Sequence, residues 1–226
     1  MAWAAGMEFH SLFFIRELAN QDLMAKLMTQ NNDAELIELN KDLFAKISYR
    51  ESTGGMMAIV KTKSLSLNDI KLPQNPLILI VEAVEKPGNL GAILRTADAA
   101  AIDVVVCCHL ATDVFNPNII RSSLGTVFTV PLALAENQET MDWLSKNNVK
   151  TFCTHLHQAS PYHLQDYTQA SAIIVGTEAT GVSEAWAKFA DINVKIPMMG
   201  QIDSMNVSVA TAIMLFEAQR QRGFKA

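Results

Sequence analysis

The sequence is short of the residues that mark several large classes of protein. It has three cysteines in 226 residues, at positions 107, 108 and 153, and they form no CxxC pair. Neither a disulfide framework nor a zinc site is therefore indicated, and a reduced, cytoplasmic compartment is expected. No stretch approaches the roughly 20 apolar residues that a membrane span requires, and the first residues lack a signal-peptide pattern. We expect a soluble protein with no membrane partner.

Positive charge is also scarce. The 18 Lys and Arg residues are outnumbered by 23 Asp and Glu, which gives a formal net charge of −5. A protein without an overall positive field must hold any nucleic acid through a local patch.

Half of the residues are apolar, enough for one full domain and a small one. The segment Lys71-Leu-Pro-Gln-Asn-Pro76 is the best domain boundary, because its two prolines interrupt regular structure. We therefore predict a small α/β module at residues 1–72 and a larger domain at 77–226. In the module, the pattern predicts strands at residues 9–15 and 56–60. It also predicts a helix at 20–30, and a second helix that starts near Asp33 or Lys41 and ends at Ile47.

Short apolar runs alternate with helical stretches in the larger domain. Strands are predicted at residues 77–84, 104–108, 127–130, 150–154, 172–175 and 193–196. Helices are predicted at 91–101, 118–123, 138–147 and 183–189, with Asn137 as the cap of the third, and a last helix begins near 207. Such alternation is typical of a parallel sheet with helices on both faces. Ligands of these sheets bind beyond the carboxyl ends of the strands.

Three loops at that edge have unusual chemistry. The first spans residues 85–96, and its glycines, Gly88 and Gly91, lack the GxGxxG spacing of a dinucleotide site, so a generic phosphate loop is the alternative. The second, residues 176–181, places a carboxylate just after a buried strand. The third, residues 196–210, has Ser204, Asn206 and Ser208 at alternate positions, more capping residues than one helix start needs. It is either a ligand site or an over-capped surface loop.

Other candidate sites are weaker. His155 and His157 are two residues apart, as paired metal ligands can be, but no third ligand is nearby and we expect no metal. No GxSxG spacing is present, so a covalent hydrolase is not indicated.

Taken in order, these loops resemble the motifs of SpoU/TrmH-type RNA ribose 2′-O-methyltransferases of the SPOUT class. The matching blocks are Asn89-Leu-Gly-Ala-Ile-Leu-Arg-Thr96, Gly176-Thr-Glu-Ala-Thr-Gly181 and residues 196–210, with Arg121-x-Ser-x-Gly125 as a fourth. The resemblance covers about residues 77–222. It implies a C-terminal trefoil knot, S-adenosylmethionine bound in that knot, and an RNA site built by two subunits.

The same resemblance implies roles for single residues. S-adenosylmethionine would be held at Gly176, Thr177, Gly181, Ile196, Met198 and Met205. The catalytic set would be Asn89 and Arg95 at the methyl acceptor, with Glu178, Ser204 and Asn206 ordering the site, and Arg121 and Ser123 would contact RNA. Two positions depart from the family pattern: Met205 replaces the usual Leu, and Ala179 stands where a glycine often follows the Glu.

Methyl transfer to a ribose hydroxyl is an in-line displacement, so the enzyme must mainly align the reactants and help the hydroxyl lose its proton. The family assigns the base role to the arginine that matches Arg95. A guanidinium is nearly always protonated, however, and Arg95 could instead hold the adjacent phosphate and stabilise the developing alkoxide.

Residues 1–72 resemble a shortened form of the ribosomal-protein-like RNA-binding domain that some family members carry, and residues 51–60 carry this likeness. The eight Lys and Arg of residues 1–76 are balanced by nine Asp and Glu. The module favours ribosomal RNA as the substrate. The alternatives are a transfer RNA 2′-O-methyltransferase, a catalytically silent RNA-binding protein of the same fold, and a nucleotide-binding oxidoreductase on an ordinary doubly wound sheet.

The last helix predicts a homodimer. Its apolar residues cover more of the helix surface than one core can take, which indicates packing against a second subunit. They are Val209, Ala210, Ile213, Met214 and Phe216.

Overall fold

A computed structural model of the chain describes residues 1–30, 34–49, 54–156, 158–177 and 180–224. The chain divides into Ala2–Lys63 and a larger unit formed by Ser64–Ala226 together with Met1. The division falls earlier than the predicted boundary at residues 71–76. The reason is that Leu65 and Leu67 already belong to the larger unit: the Leu65 carbonyl accepts the Leu134 N–H at 2.7 Å, and Leu67 is buried.

The smaller unit is a three-stranded sheet with two helices. Strand β1 (Phe9–Phe14) lies between β2 (Glu35–Glu38), which is parallel to it, and β3 (Met56–Val60), which is antiparallel. The helices are α1 (Gln21–Gln30) and α2 (Lys41–Ile47). Asn20 and Asn40 begin them, since each side chain accepts a backbone N–H three residues later, at 2.9 and 2.8 Å. The sequence did not predict β2, which is four residues long and mostly exposed.

The larger unit is built on a seven-stranded sheet in which neighbouring strands are parallel. The strands are β4 (Leu77–Glu82), β5 (Val104–Cys108), β6 (Leu132–Ala135), β7 (Lys150–Thr154), β8 (Ser160–Pro161), β9 (Ser171–Val175) and β10 (Ile192–Lys195). Their order across the sheet is β6-β5-β4-β9-β7-β10-β8. Strands β4, β5 and β9 are buried along their whole length, which is why they read as continuous apolar runs.

Helices connect the strands, and apolar clusters lie on both faces of the sheet. The helices are α3 (Pro87–Ala99), α4 (Pro117–Ser122), α5 (Asn137–Lys146), α6 (Glu184–Phe189) and α7 (Val207–Gln221). The predicted parallel α/β architecture is therefore confirmed. No helix within the described ranges has the length and apolar character to cross a membrane.

Two local predictions are wrong. Residues 127–130 do not form a strand, because Thr126–Phe128 is a 3-10 helix entered through Gly125 at φ +83°. The strand at this edge is β6, a few residues later. Asn137 does not cap α5, whose cap residue is Glu136. The Asn137 side chain instead donates to Glu82 and accepts from Trp186.

Candidate active site

A cleft of about 410 Å³ opens where β9, β7 and β10 end. These three strands are neighbours in the sheet and parallel, so their carboxyl ends meet at one edge. The cleft is lined by residues 154–156, 175–177, 180–181, 194–196, 198, 203–205, 207 and 210. Residues far apart in sequence thus form one concave surface beyond the sheet, where ligands of parallel α/β folds bind.

The six residues predicted to hold the cofactor all line this cleft. Gly176, Thr177 and Gly181 come from the loop after β9, and Ile196, Met198 and Met205 come from the segment between β10 and α7. Ser204, predicted as catalytic, lines it as well. The structure therefore brings two of the predicted motifs together at one site.

The loop after β9 folds back on itself. The Thr177 N–H donates to the Gly181 carbonyl at 2.9 Å, and the Gly181 N–H donates to the Thr177 carbonyl at 3.0 Å. A Cβ on Gly176 would lie 2.2 Å from the Gly181 carbonyl oxygen, so no larger residue fits there. Gly181 itself has φ +70°, the left-handed region that favours glycine. Glu178 and Ala179 lie outside the described residues.

The start of α7 is fixed by Asn206. Its side-chain oxygen accepts the Ser208 N–H at 2.9 Å and the Ser208 hydroxyl at 2.5 Å, which makes Asn206 the cap of the helix. Its amide nitrogen donates to Asn89 Oδ1 at 3.2 Å. Asn89 lies in the first turn of α3, so this bond joins the first and third motifs directly.

Helix α3 also packs closely on α4. A Cβ on Gly91 would lie 1.9 Å from Ser122 Oγ and 2.9 Å from the backbone nitrogen of Ser123. Gly91 therefore allows α3 and α4 to approach each other closely. This packing role differs from the phosphate-binding role that a generic phosphate loop would give the glycine. Through this contact the motif at residues 121–125 lies against the motif at residues 89–96.

The predicted RNA-facing residues separate into exposed and buried side chains. Arg95 on α3 and Arg121 on α4 are both exposed. Ser123 is fully buried, and its hydroxyl donates to the Ile120 carbonyl at 3.1 Å and accepts the Gly125 N–H at 3.3 Å. Ser123 shapes a turn in this fold, and its contact with RNA stays a prediction.

The three cysteine side chains are free, buried thiols. Burial raises the pKa of Cys108 to about 11 and that of Cys153 to about 12, with a smaller contribution from the charge of Glu82 in both cases. Burial also raises the pKa of Cys107. These groups are therefore protonated at neutral pH and poor nucleophiles. Within the described part of the chain, no cluster of His, Cys, Asp and Glu has the composition of a metal site. His155 lines the cleft, and His157 lies outside the described residues.

Sequence reasoning missed Glu82, the last residue of β4. It is buried, and its oxygens accept the Asn137 amide and the Ser183 backbone N–H, each at 2.7 Å. The available signal was a single carboxylate at the end of the apolar run Leu-Ile-Leu-Ile-Val.

Comparisons with known proteins now identify the family. The family model described as the SpoU rRNA Methylase family matches residues 76–216, more than half of the chain. The chain belongs to the SpoU rRNA methylase family. This confirms the family predicted from the motifs.

Relatives of this SpoU-family chain are RNA-modifying enzymes. The 23S rRNA (guanosine(2553)-2'-O)-methyltransferase RlmP of Bacillus subtilis (strain 168) is 34% identical over 178 residues, which are 79% of this chain and 70% of the relative. The 23S rRNA (uridine(2479)-2'-O)-methyltransferase of Streptomyces viridochromogenes is 30% identical over 195 residues, 83% of this chain and 68% of the relative.

A solved structure extends the likeness to nearly the whole chain. It is the AdoMet-bound rRNA methyltransferase from Sinorhizobium meliloti, with a TM-score of 0.87 and 29% identity, and the match covers 97% of this chain and 82% of that one. The predicted enzyme class and cofactor are those of these SpoU-family relatives.

Proposed function

We propose that this chain methylates a ribose 2′-hydroxyl of ribosomal RNA, with S-adenosylmethionine as the methyl donor. The observation that carries the proposal is the cleft beyond β9, β7 and β10, where the segments expected to hold the cofactor meet. Family membership supports the same chemistry. The two curated relatives act on a guanosine and on a uridine of 23S rRNA, so ribosomal RNA, rather than one base, is the class that they share.

The residues of the cleft fit S-adenosylmethionine. The volume of the cleft is within the range of small-molecule sites. Apolar side chains of Leu156, Ile196 and Met205 suit the adenine ring, and the backbone of residues 176–177 and 180–181 offers N–H and C=O groups to its polar edge. Lys195 and Asp203 provide one charge of each sign for the amino-acid end of the cofactor. When bound, the cofactor supplies a methyl group on a positively charged sulfur.

Alignment of the acceptor is the main catalytic task of the protein. Asn206 holds the start of α7 next to Asn89, which fixes the cofactor cleft relative to α3. Arg95 lies on the same helix and is exposed, so it can reach RNA. We assign Arg95 to the phosphate beside the acceptor ribose and to the developing alkoxide, because a protonated guanidinium donates hydrogen bonds but does not accept a proton. Ser204 and Glu178 remain proposed members of the site.

The larger unit is proposed to be knotted and to act as a homodimer. Strand β9 lies between β4 and β7, and α7 returns to pack on α3, an arrangement that supports a knot at the cofactor cleft. Val209 and Phe216 on α7 are 50% and 41% exposed, so this helix carries an apolar face that a second subunit can cover. Arg121 would then contribute to an RNA surface shared by both subunits.

The smaller unit is proposed to bind substrate RNA, as its likeness to ribosomal-protein-like domains implies. Its charges are nearly balanced, so we expect its contribution to come from shape and local contacts.

Calorimetry with S-adenosylmethionine in the presence of a chelator tests the cofactor assignment. We expect binding of one cofactor per chain without added metal. Absence of heat, or heat only after zinc or magnesium is added, would refute the assignment.

Mapping of ribose methylation in cells that lack this protein tests the substrate. We expect one ribosomal RNA position to lose its 2′-O-methyl group and to regain it when the purified protein and S-adenosylmethionine are added. Loss of methylation in transfer RNA alone would favour the transfer RNA alternative. No lost methyl group in either RNA would favour the catalytically silent protein.

A further inference from the structure

Glu82 is a buried carboxylate in a network of neutral donors. It is 4% exposed at the carboxyl end of β4, the strand flanked by β5 and β9. One oxygen accepts the Asn137 amide N–H and the other accepts the Ser183 backbone N–H, both at 2.7 Å. A carboxylate is costly to bury unless such donors satisfy it. Glu82 therefore holds the start of α5 and the start of α6 against β4.

The orientation of Asn137 is set by Trp186. The indole N–H of Trp186, a fully buried residue, donates to Asn137 Oδ1 at 2.9 Å. An indole nitrogen can only donate, so the Asn137 oxygen must face Trp186 and its NH₂ group must face Glu82. Position 82 therefore has to accept two hydrogen bonds. A carboxylate can accept both, whereas a glutamine side chain has one acceptor and one donor.

Ser183 connects this network to the cofactor cleft. It follows Gly181 and Val182, and Gly181 closes the loop that begins at Gly176. The two ends of the loop cannot move apart independently, because the backbones of Thr177 and Gly181 are paired and Gly176 touches the Gly181 carbonyl. The bond from Ser183 to Glu82 thus sets how this wall of the cleft lies against the sheet.

We propose that Glu82 is a positioning residue for S-adenosylmethionine, which it does not touch but whose binding loop it anchors through the Ser183 N–H. The inference rests on the proposed function, since it concerns the same cleft. Glu82 acts through geometry: it accepts both donors, and the paired Thr177 and Gly181 are held in position before the cofactor arrives. Loss of one accepting position should weaken cofactor binding more than it weakens binding of RNA.

The test compares two variants and a control by calorimetry with S-adenosylmethionine. Glu82→Gln places two donors face to face, a clash that the free protein relieves by moving the Ser183 segment out of its binding position. Because binding must restore that position, we expect roughly a tenfold weaker affinity. The double variant Glu82→Gln with Asn137→Asp restores the pattern: the amide introduced at position 82 donates to the carboxylate introduced at 137, and that carboxylate also accepts from Trp186. We expect its affinity to return to within about threefold of wild type.

Asp191→Asn is the control for loss of a carboxylate elsewhere in the larger unit, at an exposed residue. Asp191 Oδ2 likewise accepts two donors, the Thr151 N–H at 2.8 Å and the Thr151 hydroxyl at 2.7 Å, but at the amino end of β7, away from the cleft. We expect this variant to leave cofactor affinity unchanged, because one amide oxygen at position 191 can still accept both donors. In turnover assays, Glu82→Gln should raise the KM for S-adenosylmethionine, while the KM for RNA and the kcat at saturating cofactor stay near wild type.

Three results would overturn the inference: an unchanged affinity in Glu82→Gln, no recovery in the double variant, or an equal loss of affinity in Asp191→Asn. If Glu82→Gln does not fold, Ser183→Pro replaces it. The Ser183 φ of −62° suits proline, which removes the N–H that Glu82 accepts while leaving Glu82, Asn137 and Trp186 in place. Normal affinity in that variant would equally overturn the inference. Absence of cofactor binding by the wild-type protein is a separate outcome, which would refute the proposed function.

Discussion

At the scale of single residues, cofactor binding and chemistry are assigned to different side chains. More than half of the residues that line the cleft are apolar residues or glycines, and Arg95 is not among them. Arg95 is exposed on α3, in the helix that Asn89 joins to the start of α7. The two functions should therefore be separable by substitution.

Arg95→Ala should nearly abolish methyl transfer and leave S-adenosylmethionine affinity unchanged. Interactions that form only in the transition state lower turnover without altering ground-state binding. Loss of one such electrostatic contact typically costs about 10²–10³ in rate. Turnover on the target RNA and calorimetry with the cofactor measure the two effects.

Two further substitutions control this experiment. Arg95→Lys should recover little activity, because a point charge does not reproduce the two-pronged guanidinium. Arg220→Ala, which removes another exposed arginine, paired with Glu217 on α7, should leave turnover near wild type. Near-normal turnover of Arg95→Ala would show that the first motif is structural only.

The buried thiols give a second prediction at this scale. Cys108 and Cys153, whose pKa values burial raises to about 11 and about 12, should resist alkylation at pH 8 while the protein is folded. In denaturant the same thiols regain the ordinary pKa of cysteine and should react quickly. Mass spectrometry after timed iodoacetamide treatment distinguishes the two states. Rapid labelling of the folded protein would contradict the burial.

At the scale of helices and strands, the site depends on how closely α3 approaches its neighbours. Gly91 lets α4 pack against α3, and the cap of α7 lies beside the first turn of α3. These contacts place three of the sequence motifs around one helix.

Gly91→Ala should destabilise the protein by about 1–3 kcal/mol, because the added methyl group would overlap Ser122. For a chain of this size, each kcal/mol lowers the melting temperature by roughly 2–4 °C. Gly88→Ala in the same helix is the control, since nothing lies within 4 Å of the added atom. Equal melting temperatures for both variants would contradict the close packing of α3 on α4.

Asn206→Ala should weaken both cofactor binding and turnover. It removes the cap of α7, at a cost of about 1 kcal/mol, together with the bond to Asn89. Asn206→Asp keeps the capping oxygen and removes the amide donor to Asn89. We therefore expect it to retain the stability of wild type but not its full turnover. Thermal unfolding and turnover assays separate the two contributions, and full activity in Asn206→Ala would contradict both.

At the scale of the whole molecule, the apolar residues of α7 divide between the protein's own core and its surface. Met214 is fully buried, whereas Val209 and Phe216 remain half exposed. A helix that is apolar on more than one side usually packs against a second partner. This is the basis for the proposed homodimer.

Sedimentation at micromolar concentration should give about twice the chain mass of 24.8 kDa. Val209→Glu combined with Phe216→Glu should yield a monomer, because two charges would be buried in the interface. Ile59→Glu, at a residue that is 53% exposed in the smaller unit, should leave the mass unchanged. A monomeric wild-type protein would rule out the shared RNA surface.

The sequence by itself determined the class of fold and pointed to many of the residues that line the cleft. Buried parallel strands leave continuous apolar runs, and the loops after them carry glycines and capping residues whose order along the chain is distinctive. That order carries the family resemblance, from which Gly176, Ile196 and Met205 were predicted as cofactor residues before their positions in space were known. The strand β6 was misplaced because an apolar run such as residues 127–130 fits a strand and a buried turn equally well.

Tertiary structure decided the roles that depend on neighbours distant in sequence. Ser123 is turned inward by the packing of α3 on α4, which no local pattern encodes. Glu82 and Asn137 are 55 residues apart, and Ser183 lies 101 residues from Glu82, so their hydrogen bonds exist only after β4, α5 and α6 have come together. Sequence patterns report periodicity and local propensity, whereas a buried carboxylate is stabilised by donors that only the folded chain supplies.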